Sequence, residues 1–264
     1  MTGTARSRTR WLEGSGKARA RIVAALSYPE RIVPDETEPG VVALHLKRYS
    51  FALPWCEGRE VLDAGCGVGY GTAFLATAAR RVVGGDVDES SIGYARERYA
   101  LPNVEFAVFD ITAMPLGDES FDVVCAFETI EHVVDPAALV REAARVLRPG
   151  GTFVVSTPRA DETTHSPANP HHLVEFSQND FERLLRVRFG KVEMYGERRP
   201  QTRAHRILQR LDVLGLRRRS ALVRRASSLT GTRAIEHLTL DDVTISRERV
   251  HAADVLVAVC AQPS

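Results

Sequence analysis

Glutamate and histidine side chains are spaced as in a metal site in two separate stretches of the chain. The first stretch reads FETIEHV and contains Glu128, Glu131 and His132. The second reads NPHHLVEFS and contains His172. Two carboxylates and two imidazoles can hold a divalent cation and leave coordination positions open for substrate oxygens. Because carboxylates favour hard cations, the pattern predicts Mg²⁺ or Mn²⁺ rather than zinc.

The same residues also have a simpler interpretation. A glutamate and a histidine after a strand are common in α/β proteins, where the histidine can act as a base or as a hydrogen-bonded structural residue. We take His132 and Glu131 as the catalytic candidates, with His132 as the base if no metal binds. His171 is a weaker candidate ligand because its spacing does not fit. His165, in a loop rich in proline, threonine and serine, is expected to be solvated.

A glycine-rich turn lies earlier in the chain, directly after an apolar strand that ends at Asp63. The run reads VLDAGCGVGYG, so that Gly65, Gly67 and Gly69 are spaced G-x-G-x-G. The dinucleotide fingerprint is G-x-G-x-x-G, and Tyr70 stands at its last glycine here. Such a turn lets backbone N–H groups approach a ligand without Cβ atoms in the way. The spacing therefore favours a nucleoside with an amino-acid tail over a dinucleotide.

Acidic residues also follow the next two predicted strands. Asp86 ends the strand 81–85, where a carboxylate can accept hydrogen bonds from both ribose hydroxyls. Asp110 ends the strand 104–109. Further strands are predicted at 121–127, 151–157, 191–195 and 253–260.

The turn, the acids and their order resemble the class I S-adenosylmethionine (SAM) methyltransferases over 30–196 and the last strand. The resemblance implies SAM as the cofactor, with Asp110 near the adenine amino group and Ile111 packed on the ring. The implied cofactor residues are Asp63, Gly65, Cys66, Gly67, Gly69, Asp86, Val87, Asp110, Ile111 and Phe127.

Strands that alternate with helices predict a parallel sheet with right-handed crossovers. The resemblance implies an α/β, Rossmann-like, doubly wound sheet of seven strands in the order 3-2-1-4-5-7-6, with an antiparallel last strand. Helices are predicted at 41–55 and 177–188, the first with His45, Arg48 and Tyr49 as candidate wall residues. The predicted segments are a mobile basic tail (1–27), a cap segment (28–58), the SAM-binding core (59–197), a basic helical insertion (198–250) and the final core strand (251–264).

The E-x-x-E-H…H arrangement is similar to that of small-RNA 3′-terminal 2′-O-methyltransferases and of ubiquinone-pathway catechol O-methyltransferases. This resemblance makes Glu128, Glu131, His132 and His172 the metal ligands. Both families methylate one oxygen of a vicinal diol, which a metal can chelate.

The acceptor is left open among several classes. The cap segment and the NPHH-x-x-EFS stretch resemble bacterial methyltransferases encoded with sugar enzymes, so we expect an O-methyltransferase of a sugar, nucleotide-sugar, glycoside or similar polyhydroxylated small molecule. An aromatic catechol or quinone-type acceptor is an alternative. RNA is disfavoured because the formal net charge is only +1 and no RNA-binding module is evident. A SAM-binding regulator without activity is disfavoured by the intact Asp63, Asp86 and Asp110.

Composition indicates one α/β domain with an insertion, since the 264 residues are 44% hydrophobic and 26% charged. Four scattered cysteines without a C-x-x-C pair argue for a reducing compartment and against a disulfide or zinc framework. No apolar run approaches the roughly 18 residues of a membrane span, and no secretory signal is evident, so we expect a cytoplasmic protein.

Ten arginines between 198 and 225 could face solvent, form a homodimer surface or meet the diphosphate of a nucleotide-sugar.

Overall fold

The computed structural model describes residues 31–199 and 238–263. The predicted N-terminal tail and the arginine-rich part of the predicted insertion lie outside these ranges. Within them, no helix is both long enough and apolar enough to span a bilayer.

Eight strands form a single sheet in the described part of the chain. They are β1 (Glu60–Ala64), β2 (Arg81–Asp86), β3 (Val104–Val108), β4 (Phe121–Phe127), β5 (Leu147–Pro158), β6 (Phe189–Arg198), β7 (Thr244–Ser246) and β8 (Val255–Pro263). Five α-helices lie between and before them in the described ranges. They are α1 (Pro39–Cys56), α2 (Tyr70–Leu75), α3 (Glu89–Arg98), α4 (Pro136–Val146) and α5 (Gln178–Arg186).

The strand order is β3-β2-β1-β4-β5-β8-β6-β7. Strands β1 to β5 pair in parallel, and β8 pairs antiparallel with both β5 and β6. The predicted order with its antiparallel last strand is therefore confirmed. The predicted count of seven was one too low, because β7 adds a further strand on the outer edge of β6. A strand of three residues is too short to show a hydrophobic period in the sequence.

The described part of the insertion, which was predicted to be helical, contains no α-helix. Residues 238–250 contain β7 and a 3₁₀ turn, Leu240–Asp242, rather than an α-helix. The turn is fixed by a reciprocal cap, in which the Thr239 hydroxyl accepts from the backbone N–H of Asp242 and the Asp242 carboxylate accepts from the backbone N–H of Thr239 at 3.0 Å. Leu238 and Val243 pack on Leu44 of α1 as a small separate cluster.

Both faces of the parallel strands are covered, as a parallel sheet requires. Successive residues of β1 point to opposite sides, so that Val61 belongs to one apolar cluster and Leu62 to the other. Helix α1 covers the first face with Leu46, Tyr49 and Ala52. This packing holds the carboxyl ends of β1, β2 and β4 at one edge of the sheet, where α/β folds bind their ligands.

Candidate active site

A cavity of about 790 Å³ lies at the carboxyl ends of the parallel strands. Most of the predicted site residues are in its wall. These are Gly65, Cys66, Gly67, Asp86, Val87, Asp110, Ile111, Phe127, Glu128, Glu131, His132 and His172. Two predicted cofactor residues, Asp63 and Gly69, lie behind the wall. We call residues 63–69, 86–88 and 110–111 the glycine-turn half of the cavity, and residues 128–132 and 169–175 the histidine half.

The glycine turn is tied to the neighbouring strand through its backbone. The N–H groups of Gly65 and Cys66 both donate to the carbonyl oxygen of Gly85, at 2.8 and 3.0 Å. Gly69 caps α2 with φ +84°, and a Cβ atom there would lie 2.7 Å from both Ala95 Cβ and the Phe106 ring. A side chain at this position would have to displace the core, which explains why Gly69 matters without lining the cavity.

Asp63 supports the turn from within the core. It is fully buried, and its carboxylate accepts hydrogen bonds from the Thr72 hydroxyl at 2.7 Å and from the Tyr49 hydroxyl at 3.3 Å. Burial raises the pKa of Asp63 to about 7 despite these two donors. The carboxylate therefore connects α1, α2 and β1 at one buried point.

Asp86 closes the other side of the turn. Its carboxylate accepts hydrogen bonds from the N–H groups of Gly67 at 2.8 Å and Asp88 at 3.0 Å. The Arg31 guanidinium lies 3.8 Å from Asp86 and forms an ion pair with Asp88. Arg31 could not be identified from the sequence, because the segment before α1 has no periodic pattern that would place it beside Asp86 and Asp88.

The remaining residues of this half differ in exposure. Ile111 is buried in the wall, whereas Val87 is 71% exposed. Asp110 accepts two hydrogen bonds from Thr112, from its backbone N–H at 2.8 Å and its hydroxyl at 2.7 Å. Phe127 packs edge-on against Tyr49 with ring centroids 4.9 Å apart, which joins the glycine-turn half to α1.

The histidine half is assembled from two segments far apart in the chain. A 3₁₀ turn, Ile130–His132, follows β4, and the loop 169–175 packs on it. The N–H of Leu173 donates to the Glu131 carbonyl at 2.8 Å. The His132 ring hydrogen-bonds through Nδ1 to the carbonyl oxygen of His171 at 2.9 Å, across 39 residues. His171 thus contributes its backbone to the site, whereas His165 is exposed.

Glu131, His132 and His172 form a compact cluster of metal-binding groups. One potential ligand atom from each lies within 4.8 Å of the others, and the two imidazole centroids are 4.9 Å apart. Glu131 is completely buried, and neither of its carboxylate oxygens has a hydrogen-bond partner in the described part of the chain. Burial, followed by the neighbouring carboxylate of Glu128, raises the pKa of Glu131, and the nearby Glu131 backbone N–H, Thr157 hydroxyl and Arg48 charge offset this rise only in part.

Glu128, the fourth predicted ligand, contacts Ser156 and Arg48 instead of joining this cluster. Its carboxylate accepts a hydrogen bond from the Ser156 hydroxyl at 2.8 Å and lies 3.6 Å from the Arg48 guanidinium. Its backbone φ of +51° is a conformation that residues other than glycine rarely adopt. The structure therefore brings three of the four predicted ligands together and places Glu128 in an ion network beside them.

Arg48 and Glu197 form the buried centre of this network. The Arg48 guanidinium donates to both carboxylate oxygens of Glu197, at 2.8 and 3.2 Å. Of the candidate wall residues on α1, His45 and Tyr49 line the cavity and Arg48 does not. Burial and the Arg48 charge lower the pKa of His45 well below its usual range. Nothing near Glu197 in the sequence indicates this pairing across 149 residues.

Comparison with known proteins identifies the domain that contains the glycine turn. Residues 62–155 match the methyltransferase domain family Methyltransf_11. A probable S-adenosylmethionine-dependent methyltransferase of Mycolicibacterium smegmatis is 44% identical over 168 residues, which cover 62% of this chain and 65% of that protein. Residues 62–155 are a class I SAM-dependent methyltransferase domain.

Two further relatives extend the comparison of this methyltransferase domain. A ubiquinone biosynthesis O-methyltransferase of Alkalilimnicola ehrlichii is 37% identical over 117 residues, covering 43% of this chain and 47% of that protein. A Haloferax volcanii methyltransferase solved with the Trm112 methyltransferase activator shares the fold, with a TM-score of 0.57 and 23% identity over 86% of this chain and 93% of that one. The chain spans less than two thirds of the length of both curated relatives.

Proposed function

We propose that this protein is a SAM-dependent O-methyltransferase that acts on a hydroxyl of a sugar, glycoside or similar polyhydroxylated small molecule, with a divalent metal that chelates a vicinal diol. One observation carries the proposal. A buried carboxylate without a hydrogen-bond partner, that of Glu131, lies beside two imidazoles in the same cavity as the glycine turn.

The donor set fits a metal ion. A buried charged group without a partner is costly, and a cation within reach of its oxygens would remove that cost. One carboxylate and two imidazoles form a mixed set that Mn²⁺ accepts more readily than Mg²⁺. Glu131, His132 and His172 would hold the ion. We infer that Glu128, which already contacts Arg48 and Ser156, is a neighbour of this set rather than a ligand.

The chain's own residues suit proton transfer from an acceptor hydroxyl. When bound, SAM supplies an electrophilic methyl group, and a divalent ion supplies Lewis acidity that lowers the pKa of a hydroxyl. The His171 carbonyl accepts from Nδ1–H of His132, so that Nε2 of the neutral ring carries the lone pair. If no metal binds, His132 can instead accept the hydroxyl proton at Nε2, with Glu131 to balance the charge. The turn, Asp86 and Ile111 would hold the cofactor.

An aromatic diol is the second candidate acceptor. It is favoured by the region shared with the ubiquinone biosynthesis O-methyltransferase. The sugar proposal instead rests on the resemblance of the cap segment and of the stretch around His172 to bacterial sugar methyltransferases. Both candidates present a vicinal diol to the same three side chains, so the acceptor itself must be tested.

The test is methyl transfer from labelled SAM to a panel of nucleotide-sugars, free glycosides, catechols and short RNA ends. Each reaction is run with Mn²⁺, with Mg²⁺ and with EDTA. Transfer to a glycoside or sugar that EDTA abolishes and Mn²⁺ restores would support the proposal. Transfer to catechols alone would move the acceptor to the aromatic class, and transfer unaffected by EDTA would remove the metal from the account. The same reactions are run with Glu131→Gln, which removes the carboxylate of the proposed metal site. Glu162→Gln, at an exposed carboxylate, is the matched control.

A further inference from the structure

We propose that Glu175 and Asn169 tune the metal affinity of His172 in opposite directions. Glu175 is a positioning residue that keeps the ring in the tautomer able to bind a metal. Asn169 occupies the binding nitrogen until an ion displaces it. The inference rests on the metal site of the proposed function and concerns what controls that site.

Both ring nitrogens of His172 are engaged by neighbouring side chains. Nδ1 lies 2.8 Å from the Glu175 carboxylate, and Nε2 lies 2.9 Å from the amide nitrogen of Asn169. A carboxylate can only accept, so the hydrogen bond at this side is donated by Nδ1–H. The neutral ring then has its lone pair at Nε2, where it accepts a hydrogen bond from the Asn169 amide.

The orientation of the Asn169 amide is fixed by the backbone. Its Oδ1 lies 3.1 Å from the backbone nitrogen of His171, and a backbone N–H can only donate. The amide oxygen must therefore face His171, and the NH₂ group must face His172. A flipped amide would bring two donors together and would leave Nε2 of His172 beside an oxygen.

The hydrogen bonds assign Nε2 as the nitrogen of His172 that can bind a metal, because Nδ1 carries the proton shared with Glu175. The cavity agrees with this assignment, since His172 and Asn169 are in its wall and Glu175 is not. His132 has the same arrangement, because its Nδ1 donates to the His171 carbonyl and the lone pair of the neutral ring is then at Nε2. In both rings Nδ1 is therefore bonded to the loop 169–175. An outer carboxylate or carbonyl on the far nitrogen is the usual support of a metal-binding histidine.

The two neighbours of His172 should have effects of opposite sign. Without the Glu175 carboxylate, the ring can rotate or place its proton on Nε2, and loss of such outer partners costs about 10- to 100-fold in metal affinity. Without the Asn169 amide, an ion no longer has to displace a hydrogen bond. A neutral hydrogen bond corresponds to a factor of about five, so the affinity should increase by about that factor. If Glu175 and Asn169 had only structural roles, substitution of either residue would weaken metal binding.

The experiment is a calorimetric titration of the full chain with Mn²⁺ alone, without SAM or acceptor. We expect Glu175→Leu to bind at least about tenfold more weakly, Glu175→Gln to retain most of the affinity because its amide oxygen still accepts from Nδ1–H, and Asn169→Ala to bind about fivefold more tightly. Glu162→Gln and Asn179→Ala, at exposed positions, are the matched controls. Unchanged binding by Glu175→Leu, or equal or weaker binding by Asn169→Ala, would overturn the inference.

The outcome also separates this inference from the proposed function. If the unaltered chain binds no Mn²⁺, the metal site of the proposed function fails and the inference fails with it. If it binds Mn²⁺ but the variants show no opposite effects, the inference alone fails. A second measurement needs no variant of either neighbour. The imidazole ¹⁵N spectrum of the metal-free chain, assigned with His172→Gln, should show His172 protonated at Nδ1, and protonation at Nε2 would overturn the inference.

Discussion

The acidic side chains in the two halves of the cavity have different hydrogen-bond partners. In the glycine-turn half, Asp63 and Asp86 each accept hydrogen bonds from two neighbours. In the histidine half, Glu131 is fully buried and has no such partner in the described part of the chain. Because an unpartnered buried carboxylate destabilises a fold, we propose that a ligand completes the histidine half. The glycine-turn half is already complete without one.

The largest expected effect comes from neutralising the unpartnered acid. Glu131→Gln should lower the rate of methyl transfer about 1000-fold or more, because the metal set loses its one carboxylate, an effect of about 4 kcal/mol. The affinity for SAM, measured by calorimetry, should stay within about twofold. The melting temperature without metal should not fall, because glutamine resembles the neutral acid that the raised pKa of Glu131 favours. Lower SAM affinity or a clear loss of stability would show that Glu131 supports the glycine-turn half or the fold instead.

Substitution of Gly69 tests how tightly the glycine-turn half is built. Gly69→Ala should lower the free energy of unfolding by about 3 kcal/mol, from the positive φ together with the close approach of Ala95 and Phe106. Gly67→Ala is the matched control, because its φ is also positive but no atom lies within 4 Å of the added Cβ. It should cost about 1 kcal/mol. Equal costs in urea denaturation would contradict the packing of the turn described here.

Substitution of Asp86 should have the opposite pattern to substitution of Glu131, because it should weaken SAM binding and leave Mn²⁺ binding unchanged. Asp86→Ala removes the acceptor of the Gly67 and Asp88 N–H groups as well as the carboxylate that we propose contacts the ribose of the cofactor. We expect SAM to bind about 30-fold more weakly, equivalent to about 2 kcal/mol. Mn²⁺ binding should not change, because the cluster of Glu131, His132 and His172 is built from other segments. A parallel loss of Mn²⁺ affinity would indicate that the halves are coupled.

The smallest expected change in ligand affinity is the change of SAM affinity with pH. Burial raises the pKa of Asp63 to about 7, and SAM carries a net positive charge that an anionic carboxylate attracts. The affinity for SAM should therefore rise about tenfold between about pH 6 and 8, as the ionised fraction of Asp63 rises. Asp63→Asn should remove this dependence. If SAM affinity changed with pH in the same way in the unaltered protein and in Asp63→Asn, a group other than Asp63 would cause the pH dependence.

The same carboxyl predicts how stability changes with pH in the absence of SAM. The pKa of Asp63 rises from 3.8 in an unperturbed carboxyl to about 7 in the fold. The folded state therefore binds more protons between these values, and stability from this group is greatest below pH 3.8 and is lost as the pH rises to about 7. The loss is on the order of 4 kcal/mol. Asp63→Asn should flatten this part of the denaturation profile.

The sequence predicted most of the glycine-turn half because each of its residues directly follows its own strand. The strands and the turn could be read from local hydrophobic runs and glycine spacing, whereas the strand order was implied by the family resemblance, and only the short β7 was missed. The histidine half depends on contacts between distant segments. The spacing E-x-x-E-H indicated Glu131 and His132, but it could not show that Glu128 meets Arg48, since that contact depends on α1. The H-x-x-E spacing around His172 was visible, although the roles of Asn169 and Glu175 required the folded loop.

We propose that the histidine half is a metal site built from two segments that meet only in the fold. The proposal is tested by anomalous diffraction from a crystal of the full chain soaked in Mn²⁺. We expect one peak about 2.0–2.3 Å from Nε2 of His132, Nε2 of His172 and a Glu131 carboxylate oxygen, with the Asn169 amide displaced from His172. A soaked crystal without a peak in this cluster, or with the ion held by Glu128 away from Glu131, would contradict it.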